Sequence, residues 1–204
     1  MLIGISGKIG SGKDTIGNII RWLTNPRELD GDVTNLNKFI DLGDITNHTD
    51  KFHIKKFADA LKDMVCILLG CTRADLEDSD FKNKQLGEEW WYYRISPHTP
   101  ILPRGHYPNK SDNQMCEERY LVKPTPRKIL QLLGTECGRQ IIHPNVWVNA
   151  LFTKYDYVER WKKQGSDTKL PNWVITDVRF PNEAQAILDR GGILTGDRDW
   201  ETKH

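Results

Sequence analysis

The chain has 204 residues, with 29 Lys and Arg against 28 Asp and Glu, a net charge of +1, and 38% hydrophobic residues. That length allows one well-buried core plus an insertion but not two full domains, and the near-zero charge excludes a broad polyanion-binding surface while leaving room for a local anion site. No apolar run approaches a membrane span, and residues 1–24 lack the basic, apolar, small-residue order of a secretion signal, so a soluble protein of the cytoplasm is expected.

In chain order, the apolar run Leu2 to Ser6 predicts a strand. The glycine-rich segment Gly7 to Gly12 predicts a tight loop. Ile16, Ile19, Ile20 and Leu23 recur on one face and predict a helix. Residues 24–50 are rich in turn formers and predict a loop-dominated excursion. Phe52 to Phe57 has the alternation of a second strand, followed by a helix from Ala58 to Leu69 closed by Gly70. Residues 72–123 are acidic first, then aromatic (Trp90, Trp91, Tyr92, Tyr93), then punctuated by Pro97, Pro100, Pro103 and Pro108. They predict a helical insertion followed by a long excursion.

Pro126 suits the first turn of a helix running to Gly134. A short helix around Val146 to Phe152 and an amphipathic stretch from Tyr155 to Lys163 come next. Trp173 to Thr176 is apolar without alternation, as in a strand buried on both faces, and a helix follows from Pro181 to Arg190. Strands alternating with helices predict an open, mainly parallel α/β sheet whose ligands gather beyond the carboxyl ends of its strands. Cys66, Cys71, Cys116 and Cys137 lack metal-ligand spacing, and reduced thiols are expected of them.

Chemistry concentrates in three places. Gly7, Gly10, Ser11, Gly12 and Lys13 fit a phosphate loop, in which inward-pointing backbone N–H groups cradle a polyphosphate and the lysine adds a point charge. The pattern G-x-x-x-x-G-K-[ST] fails only at its last position, where Asp14 replaces the hydroxyl residue and Thr15 comes one step late. Asp177 is expected just past the strand ending at Thr176, beside that loop, where a carboxylate can hold magnesium directly or through water. Arg179 follows it, and Glu183 is either functional or a helix-start residue after Pro181. Arg127 and Arg139 frame a glycine-broken helical segment. They are candidates to stabilise charge on a transferred phosphoryl group, with surface solvation as the alternative.

At these residues the chain resembles the bacteriophage deoxynucleoside monophosphate kinases, of the nucleoside-monophosphate-kinase branch of phosphate-loop enzymes. The likeness is carried by Ser11-Gly12-Lys13-Asp14-Thr15, by Leu132 to Glu136 running on to Trp147-Val148, and by Ile175 to Ala184. Asp14 is what this family looks like after the loop lysine. The resemblance implies a three-layer α/β/α P-loop NTPase fold with a mainly parallel sheet. It implies a single kinase domain over residues 1–204, with an acceptor-covering insertion at about 72–123.

The activity implied is transfer of the γ-phosphoryl of ATP to a deoxynucleoside monophosphate, with Mg2+ required. By motif position Gly10, Gly12, Lys13 and Thr15 hold the ATP phosphates, with Gly7 and Ser11 in the same loop. Thr15 and Asp177 serve the metal. Asp14, Arg127, Trp147, Asp177, Arg179 and Glu183 face the monophosphate or the transferred group, with Arg139 beside them, and Lys82 or Lys84 reads the acceptor phosphate. Small nucleotides are the expected partners, with no nucleic acid and no membrane, and a homodimer left open. The host cytoplasm is the expected location if the chain is phage-encoded.

Beyond Gly191 to Leu194 the family continues an apolar strand, a polar loop, another strand and a closing helix. Here the sequence turns to Thr195-Gly196-Asp197-Arg198-Asp199-Trp200 and stops, so a reduced adenine site is expected. Two other readings stay open: a phosphate-loop kinase for another small phosphorylated metabolite, and a nucleotide-binding module that has lost catalysis.

Overall fold

The computed structural model describes residues 1–8, 10–24, 52–94, 102–103 and 120–196. The expected loop at 24–50, most of the excursion after residue 94, Cys116 and the stretch from Asp197 on lie outside these residues, apart from Thr24 and the short strands below. The chain divides into two compact units, Met1–Ala60 with Gly138–His204, and Leu61–Cys137.

Among the described residues, the first unit is built on a parallel sheet of order β2-β6-β1-β7, from β1 (Leu2–Ser6), β2 (Phe52–Lys55), β6 (Asn172–Val178) and β7 (Ile193–Gly196). Every residue of β1 is buried, because alternate side chains feed two separate clusters. Ile3 and Ile5 join Phe52 and Val174 on one face, with Ile20 of helix α1 (Lys13–Leu23) packed against them. Leu2 joins Trp173 and Ile175 on the other, against Val148, Phe152 and Tyr155 of one helix and Ala184 and Ile187 of another. Those helices are Val146–Lys163 and Pro181–Leu188. Helices on both faces of a mainly parallel sheet make the expected α/β layering.

α1 lies tight on the sheet at Gly17, where a Cβ would come within 2.6 Å of the Thr176 methyl. On the opposite face Phe152 packs edge-on to Phe57 and Tyr155 and is stacked with Trp173 at 6.1 Å. The Arg190 guanidinium covers Phe152 at 4.1 Å while both its terminal and Nε donors reach the Asp156 carboxylate at 2.7 Å.

In the second unit the chain runs from α2 (Asp59–Leu69), which starts in the first unit, through α3 (Arg73–Glu77), α4 (Ser79–Asn83) and a 3-10 turn at Glu88–Trp90. An antiparallel sheet of order β4-β3-β5 follows, with β3 at Tyr92–Arg94, β4 at Leu102–Pro103 and β5 at Tyr120–Val122. Thr72 and Asp75 cap α3 reciprocally and Asp78 caps α4, which is why two short helices persist where propensity alone would not hold them. The small sheet is braced by Trp91, whose indole N–H donates to the Leu86 carbonyl at 2.9 Å and whose ring lies under Lys123 at 4.2 Å. Helix α5 (Pro126–Gln131) is capped by Thr125 and runs into a π-helix at Leu132–Ile142.

Several boundaries differ from expectation. The helix expected to end at Gly134 changes to π geometry at Leu132 and continues. The two segments expected after Val146 form a single helix, α6 (Val146–Lys163). β6 extends two residues past Thr176 and α7 (Pro181–Leu188) stops short of Arg190. Thr195 and Gly196, expected to turn away, continue β7 and pair with Ile5 and Ser6 of β1, since backbone ladder bonds do not require apolar side chains at a sheet edge. Short strands in the region expected to be helical and then irregular were hidden by their length, two or three residues each. Cys66, Cys71 and Cys137 are free thiols. Among the described residues no helix is long and apolar enough to cross a membrane.

Candidate functional site

The loop after β1 owes its shape to Gly10 and Gly12, whose φ values of 80° and 77° fall in the left-handed region. A Cβ at either position would meet nothing within 4 Å, so conformation rather than crowding calls for glycine. Gly12 also caps α1 without offering a side-chain acceptor, which leaves amides at the head of the helix for an anionic ligand. Lys13 curls back over the loop: its ammonium donates to the carbonyls of Gly7 at 2.8 Å and Lys8 at 2.6 Å, and lies 3.4 Å from Ser11 Oγ. The loop is thus formed with its positive charge held over its own backbone. Thr15 lies exposed in the first turn of α1.

Asp14 joins three elements. Its Oδ1 accepts from the Thr176 hydroxyl at 2.5 Å and its Oδ2 from the Lys56 ammonium at 2.9 Å. Gly17, one turn further along, allows the approach that brings α1 within reach of Thr176. Lys56 was absent from the candidates named in the sequence. The signal available was its position, the first residue after a strand parallel to β6, but nothing in the sequence alone ties it to Asp14.

Asp177 is not beyond its strand but inside it, at a register shift. Gly4 pairs with Ile175 and Ser6 with Val178, so β6 spends three residues where β1 spends two. A bulge of this kind re-aims a side chain. The Asp177 carboxylate accepts from the backbone amides of Phe57 at 2.8 Å and Ala58 at 3.0 Å, and the Lys56 amide donates to Asp59 at 2.9 Å. Three successive amides after β2 therefore end on carboxylates. Burial pushes the Asp177 carboxyl above its ordinary range, opposed by the two amides, raised further by the Asp59 charge and lowered by Arg179.

Glu183 is the helix-start residue that one reading of the sequence expected, and it also pairs with an arginine. Its Oε2 accepts from the amides of Arg179 at 2.8 Å and Phe180 at 3.1 Å, closing the start of α7, and its Oε1 accepts from Arg139 at 2.7 Å. Glu183 is 1% exposed, and burial raises its carboxyl against the pull of the Arg179 amide and the Arg139 charge. The Arg139 guanidinium lies 4.0 Å over the Phe180 ring, so this arginine is committed to fixing the turn that presents the exposed Arg179.

The first unit thus brings together the loop, Asp14, Lys56, Thr176, Asp177, Arg179, Glu183 and Arg139. Trp147, also in this unit, is 5% exposed and belongs to the buried set. Arg127, Lys82 and Lys84 lie in the second unit. There Arg127 Nε donates to Asn83 at 2.8 Å, Lys82 lies in the last turn of α4 and Lys84 caps its C-terminus. Of the aromatic residues in that unit, Tyr92 is buried and Trp91 braces the small sheet.

A parallel sheet with helices on both faces and a glycine-rich loop opening its first helix defines an α/β protein of the phosphate-loop class. No family model matches the chain. The deoxynucleoside-5'-monophosphate kinase of Escherichia phage T5 is 27% identical to it over 209 aligned positions, which cover 93% of this chain and 72% of that protein. The resemblance to the phage deoxynucleoside monophosphate kinases carried by the three motif blocks is borne out by that likeness.

Proposed function

We propose that the chain is a deoxynucleoside monophosphate kinase that transfers the γ-phosphoryl of ATP to a deoxynucleoside monophosphate. The observation that carries this reading is Asp14. It stands where the general loop motif has a hydroxyl residue, and although its side chain is exposed it is held to the strand by Thr176 and to the turn after β2 by Lys56. The similarity to the phage T5 kinase supports the same reading.

In this account the loop amides and Lys13 hold the donor phosphates, and an acceptor phosphate oxygen attacks the γ-phosphorus in line as the bond to the β-phosphate oxygen breaks. No covalent enzyme intermediate forms. The acceptor is already ionised at neutral pH, so the carboxylates orient groups instead of abstracting a proton. Arg179, exposed beside Asp177, offers a guanidinium to the spreading equatorial charge. Arg139 and Glu183 fix the turn that carries it. Arg127 and Trp147 have acceptor roles by motif position, and Lys82 or Lys84, in the insertion, would read the acceptor phosphate.

Mg2+, a hard cation that keeps waters and nucleotide oxygens around it, fits Thr15 and Asp177. The first is an exposed hydroxyl, and the second a carboxylate whose two amide bonds leave a lone pair on each oxygen. Its contribution would be to neutralise charge between the β and γ phosphates.

A panel of deoxynucleoside monophosphates and other small phosphorylated metabolites, each incubated with ATP and Mg2+, tests the proposal. Diphosphate product from one or more deoxynucleoside monophosphates, in preference to the other acceptors, is the expected outcome. Preference for a different metabolite would move the chain to another kinase class. ATP binding without product from any acceptor would favour a module that has lost catalysis.

A further inference from the structure

We propose that Lys56 is a phosphate-binding residue on the acceptor side of the site, with its ammonium oriented by Asp14. This rests on the kinase reading above and names a residue that the motif blocks do not contain.

Three observations carry it. The backbone that launches Lys56 is fixed, because its own amide ends on Asp59 and the next two amides end on Asp177. A charged side chain sent from so constrained a turn loses little further freedom on meeting a ligand. Next, Lys56 follows the carboxyl end of β2, and Lys55 pairs with Ile175 of β6, so the ammonium belongs to the end of the sheet where the phosphate loop opens. In the strand order β2-β6-β1-β7 the loop continues from β1, and β2 lies beyond β6, roughly 10 Å across the sheet at ordinary strand spacing. With the donor phosphates over β1 and α1, a cation after β2 stands beside them at the same end of the sheet, where a second phosphate can be held next to the donor.

The third observation is chemical. Asp14 is the described hydrogen-bond partner of the Lys56 ammonium, which has three N–H donors, so two remain for ligand oxygens among the described residues. The side chain is about a quarter exposed at 27%, enough to be reached while partly screened from water. The Asp14 carboxylate has its second oxygen fixed by Thr176 and holds the ammonium in one position. A carboxylate next to a nucleotide would otherwise repel it, and Lys56 cancels that charge while presenting its own donors.

The test is steady-state kinetics and equilibrium titration of Lys56→Met, Lys56→Arg, Asp14→Asn and the Asp14→Asn/Lys56→Met double variant. Circular dichroism and ATP titration report folding. Lys56→Met is expected to raise the KM for the acceptor monophosphate by about tenfold or more, as loss of a charge-assisted contact does, with the KM for ATP changed less than about threefold. Lys56→Arg should recover part of the loss, and the double variant should stay weak. An unchanged acceptor KM in folded Lys56→Met would overturn the proposal. So would full recovery in the double variant, which would make Lys56 only a neutraliser of Asp14.

If wild type phosphorylates no deoxynucleoside monophosphate, the kinase reading falls on that result alone. The Lys56 proposal is then decided by calorimetric titration with dGMP and dTMP: weaker binding by the methionine variant sustains it, and equal binding or no binding by wild type overturns it.

Discussion

The Thr176 hydroxyl donates to Asp14 at 2.5 Å, joining the third-last residue of the central strand β6 to the second residue of the phosphate-loop helix. This bond explains why an aspartate can occupy a place the general motif gives to serine or threonine. The carboxylate reaches across to the strand and to Lys56 at once, which a hydroxyl is too short and too weakly acidic to do.

Replacing Asp14 by serine would restore the general motif and remove both contacts. The expected result is a loss of kcat/KM of about tenfold or more, with the fold retained, since each of the two bonds contributes about 1 kcal/mol to stability. Thr176→Val should lower kcat/KM in the same direction by a smaller factor. Steady-state kinetics beside urea denaturation separates the two effects, and a serine variant as active as wild type would remove Asp14 from the mechanism.

Glu183 serves two backbone amides and one arginine from a fully buried position. Glu183→Ala leaves those donors without acceptors and should cost about 3 kcal/mol of stability. Glu183→Gln keeps an acceptor for the amides and the packing volume, so its cost should be nearer 1 kcal/mol. Chemical denaturation of the two variants checks the order. The activity of the glutamine form, with Arg139 no longer paired to a charge, tests whether the Arg179 turn depends on that ion pair.

Burial raises the carboxyl of Asp177 from its ordinary value of 3.8. The folded chain therefore holds that proton more tightly than the unfolded chain. The contribution to stability is complete below 3.8, declines as pH rises through the raised native value, and is constant above it. Asp177→Asn has no such titration, so the stability of wild type relative to this variant should be greatest in acid, shrink over that window and level off. Urea midpoints measured from acid to neutral pH read the sign directly, and a difference that grows with pH would contradict it.

Hydrophobic periodicity and loop chemistry make the architecture legible in the amino-acid sequence. Leu2 to Ser6, the helix behind the loop, and the apolar run at Trp173 all form as their patterns predict, because burial on one or two faces leaves a mark in sequence. What stayed hidden depends on register or long-range pairing. The bulge that turns Asp177 toward the amides of Phe57 and Ala58 arises from how β6 pairs with β1, not from local residues. The Lys56–Asp14 contact spans 42 residues, and Arg139 reaches Glu183 across 44. The π segment from Leu132 was hidden for a different reason: its composition is that of an ordinary helix with two glycines.

The most direct measurement of the central claim follows labelled γ-phosphoryl from ATP into each of the four deoxynucleoside monophosphates, with wild type and with Lys13→Ala. Lys13 is partly exposed and bonded only to loop atoms among the described residues, so its truncation should leave the circular dichroism spectrum and thermal midpoint nearly unchanged. The account predicts labelled diphosphate from at least one acceptor with wild type and a loss of about a hundredfold or more in the variant. Wild type that labels no acceptor, or a variant that retains wild-type turnover, would contradict it.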